Sequence, residues 1–235
     1  MKIGGLQKVT LVDFPGKLAC TVFLSGCNFR CPFCYSQELV LPEEIRKQPE
    51  ISEADFFDFL EGKRGLLEGC VLCGGEPTLY GEDLVSFAKR IKNDGFLIKL
   101  DTNGTNPDVI KRLIDEKLVD YIAMDIKAPL NKEKYSLAAG AKVDIEKIKE
   151  SIKLIENSEI DYEFRSTVVP SIHSKEDIIQ MAKDISPANK YFLQSFRGEK
   201  GTIDESLKDS RPFPDEFMKE VGEEIKSYFN VFKIR

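Results

Sequence analysis

Along this chain the spacing of apolar positions switches repeatedly between the two-residue period of a strand and the 3.6-residue period of a helix. Lys2 to Thr10 alternates weakly and leads to Asp13-Phe14-Pro15-Gly16, where Pro followed by Gly marks a turn. Lys17 to Leu24, rich in Val, Phe and Leu, reads as a buried strand. A small β-hairpin over residues 1–17 is therefore expected to lead into the first core strand.

A strand–helix rhythm follows. Ser52 is placed to cap a helix to about Lys63, with Phe56, Phe57 and Leu60 facing inward. Gly69 to Cys73 is a short strand running into Gly74-Gly75, and a helix from Gly81 to Asn93 ends before Gly95. Phe96 to Leu100 forms the next strand, and Pro107 opens a helix to about Lys117. Asp120 to Ile126 is a strand, and Asp144 to Glu156 an amphipathic helix with Ile145, Ile148, Ile152 and Ile155 on one face. Tyr162 to Val169 is a strand stopped by Pro170, and Ser174 caps a helix to about Ile185. Tyr191 to Phe196, a helix over Pro214 to Phe229 and a short strand at Val231 to Ile234 complete the pattern.

Such alternation implies a parallel sheet with right-handed crossovers. A closed eight-fold barrel usually takes ~250 residues. About six βα units in 235 residues point to an α/β chain forming a partial, open (β/α)6 TIM-like barrel. The barrel would span residues 18–235 behind a small N-terminal β extension, in one domain over residues 1–235. A doubly wound sheet is the alternative fold.

Composition narrows the setting. Apolar residues make up 42% and charged residues 31%, as in soluble globular proteins. With 40 acidic against 34 basic residues the net charge is −6, which argues against nucleic acid as a direct partner. No apolar run approaches the ~20 residues of a membrane helix, and the first residues are too polar for a secretory signal. A cytoplasmic location is expected, where the six cysteines stay reduced or metal-bound. A single histidine, His173, excludes a multi-histidine metal site.

The chemistry concentrates in Cys27-Asn28-Phe29-Arg30-Cys31-Pro32-Phe33-Cys34, a C-x3-C-x2-C loop just after the first core strand. A short loop of this kind can wrap three thiolates around one iron–sulfur cluster, and three ligands leave one iron of a four-iron cube open. Unrelated thiols or a zinc knuckle remain the plain alternatives, although no second C-x2-C/H half follows at a usual distance. Further polar residues recur at successive strand ends: Gly74-Gly75-Glu76-Pro77, Asp101-Thr102-Asn103-Gly104, Asp125-Ile126-Lys127, and Arg165 within an apolar strand. Taken singly these are turn residues or structural ion pairs. Together they fall at the end of the strands that forms the mouth of a β/α barrel. Cys20, Cys70 and Cys73 lie within strands and are expected to pack as small hydrophobes. His173 is assigned no role.

The cysteine loop followed by an aromatic, Tyr35, resembles the signature of the radical S-adenosylmethionine superfamily, and the resemblance covers essentially the whole chain. It implies a [4Fe–4S] cluster on Cys27, Cys31 and Cys34, whose open iron is chelated by S-adenosyl-L-methionine. It further implies reductive cleavage of that cofactor to methionine and a 5′-deoxyadenosyl radical. Gly74, Gly75 and Glu76 match the motif that binds the methionyl amino group, and Asp125 and Lys127 fall where the cofactor's carboxylate and ribose are held. Phe33, Tyr35, Asp101, Asn103 and Arg165 are further cofactor contacts by the same likeness.

Within the superfamily, Lys99 to Gly104 and Ala123 to Pro129 resemble phrases of the glycyl-radical activating proteins of anaerobic ribonucleoside-triphosphate reductase. That implies abstraction of a hydrogen atom from a backbone glycine of a glycyl radical enzyme, with flavodoxin or ferredoxin as one-electron donor. Two departures stand out. Tyr35-Ser36 replaces the His-Asn of several relatives. Leu193-Gln194-Ser195-Phe196 lacks the histidine of pyruvate formate-lyase activases, which speaks against that branch. A radical enzyme acting on a small molecule or nucleoside, and a non-catalytic iron–sulfur or zinc-binding module, are the competing functions.

Overall fold

The structure is a computed structural model describing residues 1–198 and 201–235. Its frame is one sheet of eight strands in the spatial order β1 to β8 among the described residues. β1 (Ile3–Thr10) runs antiparallel to β2 (Ala19–Leu24). From β2 onward the strands follow one another in parallel: β3 (Gly69–Gly74), β4 (Leu97–Thr102), β5 (Tyr121–Asp125), β6 (Asp161–Val168), β7 (Lys190–Ser195) and β8 (Val231–Ile234). β1 and β8 are the two edges and do not pair, so the sheet is a partial, open barrel, as the sequence rhythm implied. Residues 1–17 hold one strand rather than the expected hairpin of their own: β1 pairs with β2, because the Asp13–Gly16 turn returns the chain directly into the first parallel strand.

The crossovers place helices against the outer face. Their starts are set by the side chains singled out in the sequence. Ser52 accepts from the Asp55 N–H at the head of α3 (Glu53–Glu61). Asp144 caps α7 (Ile145–Glu156), and Ser174 forms a reciprocal capping box with Asp177 at α8 (Lys175–Asp184). Each such cap is worth ~1 kcal/mol. Also as expected, α4 (Glu82–Asn93), α5 (Pro107–Asp115) and α9 (Asp215–Ile225) fill the remaining crossovers.

Three helices had no clear sequence signal. Two are single turns in the long link after β2, α1 (Gln37–Val40) and α2 (Pro42–Ile45). The third, α6 (Lys132–Ala139), follows β5. Its buried residues are Tyr135, Ala138 and Ala139, while Leu137 is 67% exposed, so no apolar stripe marks it. Its ends are nonetheless set by residue chemistry: Asn131 accepts from the Glu133 and Lys134 N–H groups, and Gly140 closes it in the left-handed region at φ 58°.

Strand alternation divides the core. Cys20, Val22, Cys70, Leu72, Ile98, Leu100, Ile122 and Phe164 turn toward the helices and join the main apolar cluster. The positions between them face the barrel interior. At the N-terminal end of the parallel strands that interior is apolar: Phe14, from the hairpin turn, packs with Ala19, Val71, Tyr121 and Ala123. Gly69 makes room for it, since a Cβ there would lie 2.9 Å from the Phe14 ring. Toward the C-terminal end the interior becomes charged, through Lys99, Asp101, Asp125 and Arg165.

A cysteine-lined cavity at the mouth of the barrel

The loop leaving β2 carries Cys27, Cys31 and Cys34 and is pinned from several sides. Gly26 N donates to Leu39 O at 2.7 Å, and Cys34 N closes a turn on Cys31 O at 2.9 Å. The Arg30 guanidinium donates to Cys27 O and Phe29 O, each at 2.7 Å, while Arg30 N reaches Ala139 O at 2.8 Å at the end of α6. Asp204 N and Ile203 N, from the segment after β7, donate to Pro32 O and Cys34 O. Phe33 is buried edge-on against His173, and Tyr35 stacks on Phe196 with centroids 6.0 Å apart.

The loop after β3 lies directly on the cysteine loop. Gly75 N and Glu76 N donate to Leu24 O and Gly26 O, each at 2.8 Å. A Cβ on Gly75 would fall 2.0 Å from Gly26 O, and Gly74 has φ 119° with its own Cβ position 2.4 Å from the Leu24 backbone. The two glycines thus serve a close loop–loop contact.

Facing the cysteines is a chain of alternating charges from three strands. Lys99 pairs with Asp101. Arg165 donates to Asp101 and to Asp125, both at 3.0 Å, and Lys127 donates to Asp125 at 3.0 Å. The parallel register explains the convergence, since Asp125 lies opposite Arg165 across β5 and β6. Three cations, Lys99, Arg165 and Lys127, thus interleave with Asp101 and Asp125 along this wall, and the buried Glu163 acts on Arg165 as well. Burial works against the charge on Asp125, but Arg165 and Lys127 outweigh it and bring the carboxyl down to about 2. Burial also opposes the Lys127 ammonium, yet Asp125 raises its pKa above the ordinary lysine range. Lys127 Nζ lies 6.0 Å from the centroid of the Phe33 ring, beside the cysteine loop.

Cys27, Cys31, Cys34, Phe33, Tyr35, Gly74, Gly75, Asp101, Asn103, Asp125, Lys127 and Arg165 all line this one cavity. Glu76 is buried outside its wall. Several lining residues had no sequence signal. Cys73 packs against the apolar cluster of Phe14 and Val71, as expected of a small hydrophobe, and also opens onto the cavity, because β3 turns it to the same side as Val71 and the charged interior. Thr102 and Thr167 join the wall as well. His173 proves structural: its Nδ1 accepts from Val169 N at 3.0 Å, so Nε2 carries the proton and donates to Lys127 O at 2.8 Å. Burial lowers its pKa, which keeps the ring neutral.

The donor set fits an iron–sulfur cluster. Burial pushes the Cys27 thiol up to about 12 and Cys31 to about 11, and raises Cys34 too, so the free thiols hold their protons until a metal displaces them. Phe29 N donates to Cys27 Sγ at 3.3 Å and the Ser36 backbone hydrogen-bonds Cys34, the kind of contact that tunes cluster sulfurs. Among the described residues no three His, Cys, Asp or Glu side chains close around a single metal ion. Three thiols from one eight-residue loop on a single cavity are a donor set that a cluster could use, each thiolate taking a separate iron.

The sequence profile of the Radical SAM superfamily matches residues 21–185, and the chain belongs to that superfamily. It is a radical SAM enzyme, and membership implies S-adenosylmethionine and an iron–sulfur cluster. Among individual proteins it is 34% identical over 239 residues to a chain of Methanocaldococcus jannaschii provisionally named a glycyl-radical enzyme activating enzyme, a match covering 99% of this chain and 95% of the relative. The anaerobic ribonucleoside-triphosphate reductase-activating protein of Haemophilus influenzae is 32% identical over 83 residues, covering 32% of this chain and 50% of that protein. QueE from Escherichia coli shares the fold, with a TM-score of 0.59 at 16% identity over 100% of this chain and 94% of that one.

Proposed function

We propose that the cavity holds one [4Fe–4S] cluster on Cys27, Cys31 and Cys34 with S-adenosylmethionine beside it, and that the enzyme generates a glycyl radical on a partner protein. The observation that carries the site assignment is the placement of all three thiols on one cavity opposite the Asp101–Arg165–Asp125–Lys127 chain. Support for the activase role comes from the whole-chain similarity to the M. jannaschii protein.

In this reading each wall has its own task. The cysteine loop holds the cluster, and Lys127 sets a positive charge between it and the charged wall. Lys127 receives the cofactor's carboxylate, with Arg165 keeping Asp101 and Asp125 in place. Phe33 and Tyr35 supply apolar surface, Asn103 offers an amide, and the bare backbone of Gly74 and Gly75 allows close approach. When bound, the cluster and S-adenosylmethionine together supply one-electron cleavage to methionine and the 5′-deoxyadenosyl radical. The partner is a glycyl radical enzyme of the anaerobic ribonucleotide reductase type, and a flavodoxin or ferredoxin supplies the electron.

Anaerobic reconstitution followed by reduction with dithionite should yield 5′-deoxyadenosine. With a partner enzyme labelled with deuterium at its glycines, that product should carry deuterium and the partner should show a glycyl-radical EPR signal. Deuterium arriving from a labelled small molecule instead would replace the activase role with small-molecule chemistry. A full cluster with no cleavage at all would reduce the protein to a binding module.

A further inference from the structure

His173, the chain's single histidine, is 3% exposed and follows β6, where the loops after β2 and β5 meet it. Its ring is aimed by its own turn. His173 N donates to Val169 O at 2.8 Å, while Nδ1 accepts from Val169 N at 3.0 Å. These reciprocal bonds close the turn around Pro170 and hold the ring so that Nε2 points to Lys127 O at 2.8 Å. A neutral imidazole suits this place, since it accepts on one nitrogen and donates from the other.

Lys127 needs such a hold. The ladder between β5 and β6 ends at the pair Asp125 and Arg165, so Lys127 lies two residues past the last strand position. Before it, Ile126 N donates to Arg165 O at 2.7 Å and Ile126 O accepts from Ser166 Oγ at 2.8 Å. After it, Leu130 N donates to Asp184 Oδ2 at 2.7 Å. Between these anchors His173 takes the Lys127 carbonyl. The ammonium of the same residue reaches Asp125 at 3.0 Å and lies 6.0 Å from the Phe33 centroid. Phe33 in turn meets the edge of the His173 ring, with centroids 6.4 Å apart.

We propose that His173 is a positioning residue: by holding the Lys127 carbonyl it fixes the backbone from which the Lys127 ammonium is presented to the cavity. That Lys127 meets the carboxylate of an S-adenosyl ligand rests on the functional reading above, whereas the hold rests on the hydrogen bonds. His173 itself stands behind the cavity wall.

Two amides divide the work of the imidazole. In His173→Asn the side-chain oxygen stands where Nδ1 stood and keeps the Val169 bond, but nothing reaches Lys127 O. In His173→Gln the side-chain nitrogen stands where Nε2 stood and keeps the Lys127 bond, while the Val169 bond is lost. Both remove the ring from Phe33, so a difference between them does not come from that contact. Binding of S-adenosyl-L-homocysteine is measured calorimetrically to the anaerobically reconstituted full chain. His173→Gln should bind close to wild type, and His173→Asn about tenfold more weakly, the worth of a buried carbonyl left unpaired. That penalty should vanish in a Lys127→Met background, because residues that act through one another are not additive. Equal binding by the two amides, tighter binding by His173→Asn, or a penalty that persists without the Lys127 ammonium would overturn the proposal.

Hydrogen–deuterium exchange gives a readout that needs no ligand. The Leu130 amide, the next anchor along the loop, should exchange faster in His173→Asn than in His173→Gln. Equal rates would overturn the hold. If wild type does not bind S-adenosyl-L-homocysteine, the functional reading falls, and exchange at Leu130 still decides the hold. If neither variant folds, the 15N spectrum of wild type carries the test, since one histidine gives one pair of ring signals. A protonated Nε2 beside a bare Nδ1 is expected, and the opposite tautomer would remove the bond to Lys127 O and the proposal with it.

Discussion

Asp125 accepts from Arg165 Nε and Lys127 Nζ, both at 3.0 Å, and this double contact makes the site sensitive to acid. Its folded-state pKa is depressed to about 2 from an ordinary 3.8. A depressed carboxyl contributes stability that is present above the unfolded pKa and is lost as pH falls through the folded one, here on the order of 2 kcal/mol. In urea unfolding, the stability gap between wild type and Asp125→Asn should therefore narrow between about pH 4 and pH 2. A gap that stays constant over that window would mean that Asp125 is not held by its cations. Lys127 is the partner with a second task. Lys127→Met should leave iron content unchanged while raising the Kd for S-adenosylhomocysteine by about 10- to 100-fold, the usual worth of a charge-assisted hydrogen bond. Unchanged affinity would remove Lys127 from the ligand site. At this scale the sequence pointed to residues that line the cavity wherever residue type and strand-end position coincide, as for Cys27, Cys31, Cys34, Asp101 and Asp125. It did not show that Cys73 also reaches the cavity, that His173 bonds the backbone or that Glu76 is hydrogen-bonded behind the wall, because burial and hydrogen-bond partners come from residues distant in the chain.

Among the elements, α6 shows how a helix outside the cavity can govern the cysteine loop. Ala139 O accepts from Arg30 N, and Gly140 sits so close that a Cβ would fall 2.0 Å from Arg30 O. Gly140 also needs its φ of 58°, which costs other L-residues roughly 1–2 kcal/mol. Gly140→Ala is therefore expected to displace Arg30 and, through its bonds to Cys27 O and Phe29 O, the cluster ligands. Iron per chain after anaerobic reconstitution should drop well below the wild-type value, while far-UV circular dichroism stays close to it. Full iron loading in this variant would show that the loop yields without consequence. Helices with an apolar stripe and a capping residue, such as α7 and α8, were legible from the chain alone. α6 was missed because its outward residue is Leu137 and its inward ones are mostly alanine, and only the Asn131 and Gly140 ends identify it.

Across the whole molecule the barrel separates stability from chemistry along its axis, as β/α barrels do. The parallel strand order followed from the βα rhythm, and each strand's alternation then decided which side chains face inward. What the rhythm could not show is that the turn at Asp13–Phe14–Pro15–Gly16 folds back under the sheet. There Phe14 is 4% exposed among Ala19, Val71, Tyr121 and Ala123, and the Thr21 hydroxyl donates to Asp13 at 2.8 Å. An ordinary turn signal thus hides the plug at the N-terminal end of the barrel, because nothing local distinguishes a phenylalanine that meets solvent from one that meets the interior side of β2, β3 and β5. Phe14→Ala removes a buried ring that its surroundings cannot easily refill, at a cost of about 3–5 kcal/mol. For a chain of this length that corresponds to a fall in Tm of roughly 6–20 °C. The cavity lies at the opposite end, past Cys73 and Lys99, so below its Tm the variant should take up iron and bind S-adenosylhomocysteine as wild type does. A variant that kept its Tm would show that the plug adds nothing to stability. One that kept its Tm but lost iron would place Phe14 in the chemistry of the mouth rather than in the support of the barrel.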